Sequence, residues 1–227
     1  MPRIDLYRNV HMGQRARLYA LAVEVGAGDA ADPASGERSA ERCLAMTTEL
    51  REHAAHEDTY IHPLLRERAP AAADALDAEH LRLDAALAAL DERARAFPGA
   101  SPEARPEAQH GLYLALNELI SAYLAHLHAE ETVAMPALWR HCGDDELAAV
   151  FGAFRASRTP EEGLTDLQRM LPALPPADRA AVARVTVESV PGEEAGRSLD
   201  ALSTTLAPAQ RARLYADLGA PEAWALR

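Results

Sequence analysis

One thirteen-residue tract occurs twice in this chain and limits what it can fold into. From His53 it reads HAAHEDTYIHPLL, and from His126 it reads HLHAEETVAMPAL. Aligned at their first residues, the copies share His53/His126, Glu57/Glu130, Thr59/Thr132, Pro63/Pro136 and Leu65/Leu138. Asp58 and Glu131 match in charge. In each copy a His and a Glu lie four apart, so on a helix both project from one face. A neutral imidazole beside a carboxylate is a donor pair for a divalent metal. The two copies are therefore expected to face each other across a helix bundle and grip metal between them.

The remaining periodicity supplies the other rods. Ile4, Val10, Leu18, Leu21 and Val25 form a helical stripe that carries His11, and Gly26 and Gly28 end it. A second helix, capped by Ser35 or Ser39, runs through His53 to about Arg68, with Pro63 bending it near its end. Pro70 and the alanines after it read as a link. A third helix follows, about Ala73 to Ala96, with Leu76, His80, Leu83, Leu87 and Leu90. FPGASPEARP is a turn in which Ser101 is the expected N-cap. The fourth helix, about Pro106 to Arg140, is stopped by Gly143. Short connections between four long helices imply an all-α, up-down-up-down four-helix bundle over residues 1–142. In that topology His11, His53, His80 and His126 all lie about 15–22 Å from one end of the bundle at the helical rise. From Asp144 the pattern breaks into short amphipathic pieces separated by Pro and Gly, a C-terminal helical extension over 143–227. The sequence leaves open whether it covers the bundle, makes a homodimer contact or receives a partner.

Composition agrees and excludes some partners. Hydrophobic residues are 48% and aromatics only 5% of 227 residues, which favours helix over sheet. A net charge of −12 argues against nucleic acid and against anionic membranes. MPRIDLYRNV lacks a signal-peptide core, no apolar run approaches the roughly 20 residues that span a bilayer, and Cys43 and Cys142 read as free thiols. A cytoplasmic protein is the expectation.

The candidate ligands are His11, His53, Glu57, His80, His126 and Glu130. Six donors exceed one tetrahedral zinc. They suit two octahedral ions bridged by Glu57 and Glu130, with two histidines on each. Mixed imidazole and carboxylate donors are what iron and manganese accept readily. An oxo or hydroxo bridge and an open position, where dioxygen or hydrogen peroxide would bind, complete the expected two-metal centre. A ferritin-type site needs two Glu-x-x-His motifs, and only Glu107 with His110 has that spacing. His56 and His128 neighbour the pairs as partners or spare ligands, whereas His62, His110 and His141 are expected at the surface. Tyr60 and Tyr123 lie one turn from Glu57 and His126, and Leu119 and Ile120 are candidates for a dry wall. The sequence leaves open whether Asp84, Glu131, His56, Tyr60 or Tyr123 enters the coordination shell, and it assigns no catalytic residue.

On these residues the chain resembles the hemerythrin-like family, the HHE cation-binding domains, from residue 1 to about 142. The family pattern falls on His11, on His53 with Glu57, on His80, and on His126 with Glu130. The Glu-x5-Pro tails ending at Pro63 and Pro136 are also family-like. Two departures from the oxygen carriers point to the bacterial branch. Asp84 stands where they have a second His on helix three, and Glu131 stands where they have an Asp. More carboxylate implies Fe(III) and redox reaction over reversible oxygenation. The resemblance thus implies a non-haem di-iron protein handling dioxygen or peroxide, with catalase-like peroxide decomposition as one version. The alternative it implies is a non-catalytic sensor of oxygen, iron or redox state, or an iron-binding module. A metal-free helical interaction protein is the third reading.

Overall fold

The computed structural model describes residues 3–188, 190 and 192–220. No strand occurs among them. Helix α1 is Arg8–Gly26 and α2 is Pro33–His56; a π-helical turn, Glu57–Ile61, joins α2 to α3, His62–Arg68. Helix α4 is Pro70–Ala96 and α5 is Arg105–Ala129; a second π turn, Glu130–Ala134, joins α5 to α6, Met135–His141. Five shorter helices follow: α7 (Asp144–Ala156), α8 (Pro160–Met170), α9 (Pro176–Glu188), α10 (Gly192–Ser203) and α11 (Pro208–Leu218).

Four helix starts differ from the sequence reading, three of them for a local reason. Asp32, and neither Ser35 nor Ser39, caps α2: its carboxylate accepts from Ala34 N–H at 3.0 Å and Ser35 N–H at 3.1 Å, and Pro33 opens the helix. The Ser35 hydroxyl instead accepts from Asp29 N–H. Pro70 is no link but the first residue of α4, where its missing N–H costs nothing. Ser101 closes a turn through its carbonyl, and α5 begins at Arg105 behind Ala104. Helix α1 starts at Arg8, so Ile4 lies outside it.

The chain separates into two compact units. One joins the residues up to Tyr7 with Arg17–Phe154, and the other joins Arg8–Ala16 with the residues from Arg155 on. The division therefore passes through α1.

The first unit is a helical bundle with two apolar clusters. One cluster takes Leu18, Leu21 and Val25 from α1, Met46 and Leu50 from α2, Leu83, Leu87 and Leu90 from α4, and Leu112, Leu116 and Leu119 from α5. The other is built around Tyr7, Leu65, Leu76, Met135, Leu138 and Leu147. Along three rods the polar candidates fall in the gap between the clusters. On α2–α3 the gap separates Leu50 from Leu65, on α4 Leu76 from Leu83, and on α5–α6 Leu127 from Ala134. His53 and Glu57, His80, and Glu130 occupy those three intervals, and His126 adjoins Leu127 at the edge of the last. Cys43 and Cys142 are buried free thiols, one in each cluster. Burial, aided by the charge of Glu24, pushes the Cys43 thiol up to about 12, which makes it unreactive.

The second unit packs Leu171, Ala180, Ala183, Leu199, Leu202, Leu206 and Leu214. Helix α11 ends on Gly219 at φ 62°, the left-handed conformation that glycine adopts without strain. Within this unit the first half of α1 approaches α8 closely. A Cβ built on Gly13 would meet Met170 Cα at 2.7 Å, and Arg8 pairs with Asp178 at 2.8 Å. Gly13→Ala is accordingly expected to destabilise the protein by about 1–3 kcal/mol, despite the better helix propensity of Ala. A urea melt checks this, and an unchanged midpoint would contradict the contact.

Candidate metal centre

The carboxylates of Glu57 and Glu130 are almost wholly buried, at 2% and 0% exposure. Within the first tract copy, His53 Nε2 lies 3.0 Å from Glu57 Oε1. Within the second, His126 Nε2 lies 3.3 Å from Glu130 Oε1. His80 Nε2 approaches from α4, 3.0 Å from His126 Nε2 and 3.8 Å from Glu57 Oε2. Donor atoms of Glu57, His80, His126 and Glu130 all lie within 4.8 Å of one another. So do donor atoms of His53, Glu57 and Glu130. The two sets share both carboxylates.

The local backbone explains why the tract needs its Thr and Pro. Pro63 and Pro136 have no N–H, so the carbonyls of Thr59 and Thr132 lose their α-helical partners. The preceding turn widens instead: His62 N–H donates to the carbonyl of Glu57, and Met135 N–H to that of Glu130, each five residues back. The Thr59 hydroxyl donates to the carbonyl of Ala55 and the Thr132 hydroxyl to that of His128, both at 2.6 Å. Each of these two glutamates thus opens a π turn of the kind found at functional sites.

That widening corrects one expectation. His62 is fully buried, not at the surface. Across a π turn the residue five positions on takes the place that the fourth would have in an α-helix, so His62 returns to the inward face. Met135 does the same in the other copy and is likewise buried.

The donor set fits a cation. His126 Nδ1 lies 2.9 Å from Glu79 Oε2, and a carboxylate can only accept, so Nδ1 carries the proton and Nε2 of the neutral ring is bare. His80 Nδ1 turns towards Asp58 Oδ1 at 3.4 Å. The bare Nε2 of His126 and two carboxylates then converge in a dry space, with His80 Nε2 3.0 Å from the His126 nitrogen. Lone pairs and negative charge so arranged repel unless a positive charge lies among them. A proton is one such charge. Burial alone would lower the His126 pKa, but the hydrogen bond and charge of Glu130, then Glu79 and Glu57, push it up to about 9. A metal ion is the other, and it competes with that proton. Metal affinity is expected to rise about tenfold per pH unit between roughly pH 6.5 and 9, then level off. Without metal the sign reverses: the imidazolium stabilises the fold most below its unfolded value, near 6.5, and that contribution fades as pH rises through about 9. Metal titrations at several pH values check the first, and a flat profile would contradict it.

The other candidates fall as follows. His11 is fully buried on α1, in the stretch 8–16 that belongs to the second unit. Tyr123 is buried with its ring 6.2 Å from that of His126. His56 and Tyr60 both turn their rings to Phe154. Leu119 and Ile120 belong to the core cluster, and His128 is exposed. Asp84, His110 and His141 are exposed, and Glu131 is half-buried. Neither cysteine joins a donor set.

Three residues went unread in the sequence. Glu79 adjoins His80, but its partner His126 is remote in the chain. Asp58 serves His62 Nδ1 at 3.0 Å, an i,i+4 pair that was visible beside the tract. Tyr7 is buried, and burial followed by the charges of Glu130, Glu57 and Asp5 pushes its phenol well above the usual range. Donor atoms of Asp58, His62 and His80 also lie within 4.8 Å of one another. His80, however, turns Nε2 to the central set, and a neutral ring has one proton and one bare nitrogen. Asp77 beside His62 is held by Arg66, with 3.1 Å to each carboxylate oxygen. That edge is a hydrogen-bonded cluster supporting the centre.

Buried His/Glu sets at the waist of a helical bundle define a cation-binding bundle. The chain belongs to the hemerythrin family: the model described as the hemerythrin HHE cation binding domain matches residues 3–153. No curated protein and no solved structure matches it.

Proposed function

We propose that this is a non-haem di-iron protein that binds dioxygen or hydrogen peroxide at a His/Glu-bridged site and decomposes hydrogen peroxide. The observation that carries the reading is that two donor sets share Glu57 and Glu130. Shared carboxylates are what a pair of ions requires, and a single ion has no use for two sets. His80 and His126 belong to one ion; His53 belongs to the other, and the sequence pattern supplies His11 as its second imidazole. Hard oxygen donors with imidazole, and no thiolate, suit iron ahead of manganese and zinc. Bound there, two iron ions supply the two-electron capacity that turns two molecules of hydrogen peroxide into water and dioxygen. The residues hold the ions, and the buried leucines above and below limit water. Iron-loaded protein is expected to evolve oxygen steadily from hydrogen peroxide, and His126→Ala to lose that activity. A rate no higher than that of free iron would reject the reading.

One observation favours a second reading, a sensor or iron-binding module: the stretch 8–16, which carries the candidate ligand His11, is part of the second unit. Proteolysis of residues 144–227 with and without iron separates the two: identical digestion patterns would count against sensing.

A further inference from the structure

The two proposed ions do not have equivalent support. Within the first unit, Glu79 Oε2 accepts from His126 Nδ1 at 2.9 Å, and His126 belongs to only one of the two donor sets. Glu79 is on α4 next to His80, a ligand of that same set, so one turn of α4 supplies both a donor and the carboxylate that aims a donor from α5. The imidazole of His126 is 3% exposed, while the Glu79 side chain is about one-third exposed. The ring is thus held from its outer edge by a charged acceptor. No comparable carboxylate holds the outer nitrogen of His80 so closely: Asp58 Oδ1 lies 3.4 Å from it and only 3.0 Å from His62 Nδ1.

The geometry points to Glu79 as a positioning residue that sets the affinity of the ion bound by His80 and His126, and of that ion alone. The physical reason is directional. With Glu79 accepting at Nδ1, the proton is fixed on the outer nitrogen and the Nε2 lone pair faces the centre. The negative charge also makes that lone pair a better donor. Without Glu79, the ring can turn, or place its proton on Nε2, where it blocks the ion. Nothing in the hydrogen bond touches His53, so the other ion keeps its donors. This inference rests on the two-ion reading above.

The test is a Co(II) titration of the full chain, followed by visible absorbance, for the parent, Glu79→Ala and Glu79→Gln. The parent is expected to take up two ions per chain. In Glu79→Ala one ion binds as in the parent and the other about 10- to 100-fold more weakly, giving a break at one equivalent. Glu79→Gln keeps an acceptor oxygen without the charge and is expected to lie between the two. A structural role alone would not separate the ions, and thermal melts of the metal-free variants confirm folding. Two ions bound by Glu79→Ala with parental affinities would overturn the inference, as would equal weakening of both. A parent that takes up fewer than two ions would overturn this inference and the two-ion reading together.

Discussion

Glu130→Gln is expected to abolish the uptake of both ions, not one. Glu130 belongs to both donor sets, so on the proposed two-ion reading its loss removes a donor from each ion. Even partners of metal ligands typically change affinity by about 10- to 100-fold, so a shared ligand is expected to cost roughly 100-fold or more for each ion. Gln fills the same space and removes only the charge, so the fold is retained. Stability gives an independent readout. A ligand present at about 100 times its dissociation constant stabilises the folded state by about 2.7 kcal/mol. The parent should therefore melt several degrees higher with iron, whereas Glu130→Gln should melt at the same temperature with or without it. Asp84→Asn is the control: this carboxylate is exposed and outside both sets, so uptake should be unchanged. Uptake of a full complement by Glu130→Gln would remove the bridging role.

The largest loss of stability is expected in the second unit, at Arg179. This arginine is 4% exposed, and its guanidinium donates to the carbonyls of Leu171 at 3.0 Å and Leu174 at 2.8 Å. Those carbonyls belong to the turn between α8 and α9, where Leu171 has one further donor, the Leu174 N–H at 3.2 Å. Arg179→Ala leaves both without this donor and opens a cavity beneath Leu171, at a cost of about 2–4 kcal/mol. Arg179→Lys is expected to recover little, because an ammonium lacks the planar fork that meets two carbonyls at once. A urea melt followed by circular dichroism checks this. A loss below about 0.5 kcal/mol would show that other donors can take over the carbonyls.

What the sequence revealed, and what it hid, follows from the range of the interactions. His53 with Glu57, and His126 with Glu130, are i,i+4 pairs, and such local spacing survives any packing arrangement. The apolar stripes of α1, α2, α4 and α5 are equally local, so the bundle was legible. Pro63 was read as a bend, but its effect is subtler. It widens the turn before it and re-phases the following helix by a residue, which is why His62 was wrongly expected at the surface. A uniform helical period cannot register that shift. Glu79 was hidden for a different reason. Its partner His126 is on another helix, and no spacing in a single chain reports a contact across a bundle. The start of α2 is encoded locally, because Asp32 followed by Pro33 is an N-terminal signal that outcompetes the serines after it.

The account depends on two buried carboxylates being held in common by two ions. Iron anomalous scattering from crystals of the iron-loaded protein tests this directly. Two peaks are predicted, both within bonding distance of Glu57 and of Glu130, with His80 and His126 on one and His53 on the other. A single peak, or two peaks of which either lacks one of these carboxylates, would contradict it.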